Sequence, residues 1–362
     1  MIGGWSTTRS EVRCASHAAQ YARNVTALFL SHDVFSLHET PVSHPERPAR
    51  LDAVRAGIQR FHLTDGLILV QPRRATEEDM ERVHRRGLVE NLARLSDAGG
   101  GPIDADTSAS AHSFDAAAYA AGAGLDAIER IDAGQATRAF CAVRPPGHHA
   151  TPSRSMGFCL LNNVGITAAS LADRGERVAI VDFDAHHGNG TQDAFYEDER
   201  VLFCSLHQWP LYPGTGAADE VGSDRGRGTN LNIPLPGGAT GDVYRLALEK
   251  IVAPAVAAHR STWLLVSAGF DGHRSDPLTG LGLTSGDIAA ISRDLLEIAG
   301  DRPSIWVLEG GYDLEALAAS TAACVGALVE EPVVPESETA DGPGSDVVAS
   351  VQDVHRAAID AA

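Results

Sequence analysis

Short apolar runs alternating with longer helical stretches predict an α/β fold: a single domain with an open, mostly parallel sheet and helices on both faces. Three observations carry this. Residues 26–30, 139–143, 177–181, 201–205, 263–266 and 304–308 are short apolar runs, suited to strands buried on both faces. Residues 50–61, 113–132, 164–174, 243–259 and 284–299 have helical length and pattern, and the last opens on Thr284 and Ser285, either of which can cap free amides. After most of the apolar runs comes a cluster of Gly, Pro, His, Asp or Tyr, as loops carrying a site over a rigid sheet require.

Taken in order, residues 1–25 read as an N-terminal leader, partly helical around 15–22. The alternating pattern fills 26–330, the expected catalytic domain. The stretch EEPVVPESETADGPGSDV, residues 330–347, is rich in Pro, Gly, Ser and acid. It makes 331–362 a linker followed by a short helix over 348–361. A composition that is 44% hydrophobic and 21% charged supplies a core and excludes a disordered chain. The net charge of −19 repels nucleic acid and anionic lipid, so neither is an expected partner. No stretch approaches the ~18–20 apolar residues of a membrane span, and the first residues lack the apolar run of a signal peptide. Cys14, Cys141, Cys159, Cys204 and Cys324 are scattered without a CxxC pair, which argues against disulfides or a thiolate zinc site. A reduced, cytoplasmic protein is expected, with its oligomeric state open, a homo-oligomer included.

The chemistry sits where the strands end. RPPGHH follows 139–143, DFDAHHGNG follows 177–181, LHQWPLYPGTG follows 201–205, SAGFDGH follows 263–266 and EGGYD follows 304–308. In open α/β sheets the ligand site lies beyond the carboxyl ends of the strands. Asp184 and His186, two apart on extended backbone, face the same side. With Asp271 they make an N/O set with an open position, as catalytic zinc sites have. Ferrous iron or cobalt would suit the same ligands. Arginase-type ureohydrolases use D-x-H-x-D and a later D-x-D to hold two manganese ions; here those extra positions are Gly188, Gly269 and His273, which favours a single metal.

His148 and His149 follow a Pro-Pro-Gly corner that fixes the backbone, and an imidazole there can take a proton from attacking water and pass it to a departing amine. Asp182 and Asn189 are the candidate orienting partners. Gly310 and Gly311 give the backbone freedom to swing Tyr312 inward, where a phenol can donate to a developing oxyanion.

Together RPPGHH, GFCLLNN, VDFDAHHGNGTQD, SLHQWPLYPGTG, SAGFDGHRSDPL and EGGYDL, with SHPERPARL at 43–51, resemble the histone deacetylase and acetylpolyamine amidohydrolase family over roughly residues 26–330. Asn189 in HHGN resembles the class II branch. The resemblance implies an arginase/deacetylase-like α/β fold and one catalytic zinc on Asp184, His186 and Asp271. It implies His149 as general base and acid, His148 with Asp182 as its electrostatic partner, and Tyr312 as the group polarising the carbonyl. Gly157, Phe158 and Tyr212, with Gly310 at the base, would shape a narrow tunnel, with Leu278 and Asp106 at its rim. A structural potassium is implied near Asp182, Asp184, His186, Ser205 and Leu206. The expected partner is an acylated amine or acyl-lysine. Leu278 favours acyl-lysine over a polyamine, although Asp276 and Asp106 keep a cationic substrate open. A binding protein without turnover is the remaining alternative.

Overall fold

A computed structural model describes residues 26–360; the leader over 1–25, its helical stretch around 15–22 and Cys14 lie outside the described residues. The strands are β1 (Ala27–Leu30), β2 (Leu67–Val70), β3 (Gly100–Pro102), β4 (Ser108–Ser110), β5 (Arg138–Cys141), β6 (Val178–Asp182), β7 (Val201–Gln208), β8 (Asn230–Leu235), β9 (Trp263–Ala268) and β10 (Ser304–Leu308). β3 and β4 form a small antiparallel ribbon. The other eight form one parallel sheet in the order β2-β1-β5-β10-β9-β6-β7-β8. This is the single α/β domain that the sequence predicts.

All six predicted runs are strands, with small shifts at their ends. Of the strands not predicted, β3 and β4 make the small ribbon, and β2 and β8 are the edges of the eight-stranded sheet. β8, NLNIPL, interleaves Asn with its apolar residues and carries Pro234, which only an edge tolerates. Among the helices, Leu314–Leu328 also escapes the pattern, because LEALAASTAACVGAL is small and apolar nearly all round and is buried on most sides. The helix expected over 243–259 is interrupted by a π turn at Leu248–Val252. Pro254 offers no amide to the Lys250 carbonyl one turn back, and Gln352 Nε2 supplies that hydrogen at 3.1 Å instead.

The segment read as a linker is not a free spacer. Residues 331–344 have no helix or strand, yet Thr339 donates its amide to Asp287 Oδ1 at 2.7 Å and its hydroxyl to Asp287 Oδ2 at 2.7 Å. The terminal helix begins at Ser345, ahead of the predicted 348. For the site, the decisive feature is sheet order. β5, β10, β9, β6 and β7 are consecutive neighbours, and being parallel they deliver their five following loops to one edge.

Candidate active site

Asp184, His186 and Asp271 converge there, their ligand atoms all within 4.8 Å of one another and the residues buried. The carboxylates are held by backbone amides: Gly310 N donates to Asp184 Oδ2 at 2.8 Å, and Ala185 N to Asp271 Oδ1 at 2.8 Å. His186 Nδ1 lies 3.2 Å from Asp184 Oδ1 and 2.8 Å from Asp271 Oδ2. Burial and the neighbouring Asp184 push the Asp271 carboxyl up to about 7. Burial draws the His186 imidazole down, but the two carboxylates outweigh it and raise it to about 10. The donor set fits one divalent ion bound by nitrogen and oxygen.

Gly310 departs from the sequence reading. Gly311, not Gly310, takes the left-handed conformation, with φ +118°. Gly310 is needed for space and lies under the two candidate ligand carboxylates: a Cβ there would stand 2.5 Å from Asp271 Oδ2 and 2.6 Å from Asp184 Oδ2.

The paired histidines sit in opposite environments. His148 Nδ1 is 3.0 Å from Asp182 Oδ2, and its Nε2 3.7 Å from Asp184 Oδ1. Burial lowers its pKa, but Asp184 and Asp182 outweigh that and hold it well above the usual histidine range. His149 Nδ1 is 2.8 Å from Asn189 Oδ1, a neutral acceptor. Burial, with His148 and His186 nearby, holds His149 well below the usual range. Because the Asn189 oxygen accepts, Nδ1 of His149 carries the hydrogen and Nε2 is left as the basic nitrogen. Two adjacent imidazoles with their pKa values driven apart are the arrangement that acid–base chemistry requires.

Tyr312 is half-buried, its ring edge-on to Phe158 at 5.7 Å between centroids. Burial pushes its phenol well above the usual range, so it remains a donor. Tyr212 meets His149 edge-on at 5.1 Å. Gly157 (φ +57°) has no room for a side chain, since its Cβ would lie 2.5 Å from His149 Cδ2 and 3.0 Å from Tyr212 Cε1. Phe158 adopts φ +66°, a strained value for a non-glycine residue, and its amide is fixed by Thr107 Oγ1 at 3.0 Å. Leu278 is 38% exposed. Asp106 is exposed beside this wall, its Oδ1 accepting from Thr107 Oγ1 at 2.8 Å. Asp276, by contrast, is not at the rim as a cation acceptor. It is 7% exposed, and its carboxylate turns inward to the amides of Tyr312 at 2.7 Å and Leu278 at 2.9 Å. Ser205 and Leu206 are buried on β7, Ser205 paired in register with Asp182, with its hydroxyl 2.9 Å from His207 Nδ1.

Two features escape sequence reasoning. Glu309, the acid of EGGYD, is fully buried and its Oε2 accepts the amides of Gly147 at 2.6 Å and His148 at 3.1 Å, fixing the corner that presents both histidines. A charge at the end of a buried strand was its only signal. His148, Cys159 and Glu309 also bring ligand atoms within 4.8 Å. There, however, the two His148 nitrogens already face Asp182 and Asp184, and burial holds the Cys159 thiol neutral. The second feature is a buried ionic cluster. Glu46 pairs with Arg144 (Oε2 to Nη2, 2.7 Å) and Arg50 (3.3 Å). Arg50 donates in turn to the Gly311 carbonyl at 2.7 Å, its guanidinium 5.0 Å from the Tyr312 ring centroid.

Comparison with known proteins agrees with this geometry. A "Probable deacetylase" of Archaeoglobus fulgidus is 40% identical over 290 residues, covering 78% of this chain and 80% of its own. A "Histone deacetylase-like amidohydrolase" of Pseudomonas aeruginosa is 39% identical over 275 residues, covering 74% and 72%. The crystal structure of the HDA15 HD domain superposes with a TM-score of 0.84 at 34% identity, covering 91% of this chain and 94% of that one. The profile of the histone deacetylase domain matches residues 44–328, and the chain belongs to the histone deacetylase family of hydrolases.

Proposed function

We propose that the protein is a zinc-dependent amidohydrolase that removes acetyl or other acyl groups from acyl-lysine or a related acylated amine. The observation that carries this is the convergence of Asp184, His186 and Asp271 beside a neutral His149 and a protonated Tyr312. Asp184, His186 and Asp271 would hold the ion, which when bound supplies Lewis acidity to the scissile carbonyl and to water. His149 Nε2 takes the proton of the attacking water, with Asn189 fixing the ring. His148, kept charged by Asp182 and Asp184, stabilises the negative charge that develops and is a second proton source for the leaving amine. The Tyr312 phenol donates to the tetrahedral oxyanion. Gly157, Phe158 and Tyr212 would grip the aliphatic stem. The structural potassium would use Asp182, Asp184, His186, Ser205 and Leu206.

Acyl-lysine is favoured over a polyamine because Leu278 is apolar and Asp276 is committed to backbone amides, leaving Asp106 as the rim carboxylate. The two-manganese alternative is disfavoured on spatial grounds, since a Cβ on Gly269 would fall 2.0 Å from Asp184 Oδ2. Cys141, Cys159, Cys204 and Cys324 are buried free thiols, which supports a reducing compartment, the cytoplasm by proposal. Among the described residues no helix is long and apolar enough to cross a membrane. The test is acetate release from an acetyl-lysine peptide and, in parallel, from acetylated polyamines. Turnover should vanish on chelation and in His149→Ala, a loss of about 10²–10⁴-fold for a general base. Absence of turnover on both substrates by the zinc-loaded protein would exclude acetyl and move the test to longer acyl chains; binding of all of these without hydrolysis would replace the reading with that of a binding protein.

A further inference from the structure

The loop after β9 carries Asp271 and is fastened at two places. On its inner side Asp276 accepts the Tyr312 amide, and Thr279 Oγ1 donates to the Asp271 carbonyl. On its outer side His273 and Arg274 reach a residue of the C-terminal segment. His273, 4% exposed, accepts from the Ser275 amide on Nδ1 at 3.1 Å, so Nε2 carries the hydrogen and donates to Glu336 Oε2 at 2.7 Å. Arg274 Nη2 donates to Glu336 Oε1 at 2.7 Å. Glu336 Oε2 also accepts the amide of Ser285 at 3.1 Å and its hydroxyl at 2.9 Å, at the start of helix Ser285–Ala299. One carboxylate therefore joins two consecutive residues of the metal-bearing loop to a rigid helix. Glu336 lies beyond residue 328, where the family match ends.

We propose that Glu336 is a positioning residue: through His273 and Arg274 it sets the loop that presents Asp271 to the metal and, through Asp276, the turn that presents Tyr312. This rests on the amidohydrolase reading for its effect on turnover, but not for its effect on metal binding. Without Glu336 the buried His273 Nε2–H has no acceptor among the described residues, and the loop loses its outer anchor. Residues that hydrogen-bond to metal ligands typically contribute 10–100-fold to affinity, and an anchor one step further out belongs at the low end.

The experiment compares Glu336→Ala, Glu336→Gln and Glu338→Ala in the full chain. Glu338 lies on the same segment but pairs with Arg245 and Arg293, away from the loop. Zinc affinity is read by competition with a chelator, and kcat and KM on an acetyl-lysine peptide. Glu336→Ala should weaken zinc by about tenfold and lower kcat by about tenfold, with KM within about twofold. Glu336→Gln, which keeps an oxygen for His273, should recover most of both. Glu338→Ala should change neither. If Glu336→Ala does not fold, the Gln variant decides, with about threefold weaker zinc expected and an unchanged value overturning the proposal. Wild-type zinc affinity in a folded Glu336→Ala protein overturns it, as does an equal loss in Glu338→Ala. If the wild type binds zinc but hydrolyses nothing, the amidohydrolase reading fails while zinc affinity still decides the role of Glu336.

Discussion

Two clusters of buried charge lie on either side of the Glu309–Tyr312 turn, and they are balanced in opposite ways. Around the candidate ligand set, Asp182, Asp184, Asp271 and Glu309 are all buried, with His148 and His186 as their imidazole partners. One oxygen of Glu309 has no hydrogen-bond partner among the described residues, and burial pushes its carboxyl up to about 7. In the other cluster Glu46 faces two permanent cations, Arg144 and Arg50, all three fully buried. Four more guanidinium hydrogens go to the carbonyls of Phe35, His38, Glu309 and Gly311. The first cluster has surplus negative charge and therefore calls for a cation; the second satisfies itself and serves as scaffold. Charge balance separates site from support here more clearly than burial does, since both clusters are equally deep.

The comparison breaks if the second cluster proves dispensable. Arg144→Met leaves Glu46 with Arg50 as its remaining permanent cation and removes bonds to two carbonyls, and losing one partner of a buried pair typically costs about 3–5 kcal/mol. Urea denaturation should show a loss of that size, with Glu46→Gln in the same chain recovering part of it. A change below about 1 kcal/mol would mean that water or a rearrangement replaces the guanidinium. Tyr312→Phe probes the first cluster. One oxyanion donor is typically worth roughly 3–4 kcal/mol, so kcat should fall ~100-fold or more. Zinc affinity and the midpoint of unfolding should stay near wild type, since no ligand is touched. Unchanged kcat would remove the phenol from the chemistry and leave Tyr312 as a packing partner for Phe158 and Arg50.

Most of the site is legible because its groups follow strands directly. Asp184, His186, Asp271 and Tyr312 each lie within four residues of a strand's carboxyl end, His148 and His149 follow β5 across a short Pro-Pro-Gly corner, and a parallel sheet brings those ends together. What stays hidden are pairings between distant segments. Glu46 and Arg144 are 98 residues apart, and nothing local marks either as half of an ion pair. Asp276 reads as a carboxylate open to a cationic substrate until the fold shows its oxygens turned to Tyr312 and Leu278. Glu336 sits in a stretch whose Pro, Gly and acid signal a linker, and only the position of His273 shows why that stretch stays in place. Local composition reports what a segment can form alone, and these contacts depend on what packs against it.

The smallest effect is the one with acid. Burial raises the Glu46 carboxyl, but Arg144 outweighs it and holds it at about 2 against an ordinary 4.5. Burial pulls His38, 3.6 Å from Glu46, down to about 4 from 6.5, with Glu46 opposing only in part. In both groups the folded pKa is below the unfolded one, so the unfolded chain binds more protons and acid favours unfolding. The His38 contribution is complete above about pH 6.5 and is lost as pH falls towards 4; that of Glu46 is complete above about 4.5 and is lost towards 2. Between pH 7 and 4.5 the loss from His38 should reach roughly 2–3 kcal/mol, read from urea midpoints at several pH values. His38→Gln keeps an amide for Ser113, which is 2.7 Å from Nδ1, and removes the titration, so its curve should be flatter by that amount over the same window. If the two curves run parallel, His38 takes up its proton as readily folded as unfolded, and below about pH 6.5 the second cluster carries more positive charge than its two arginines supply.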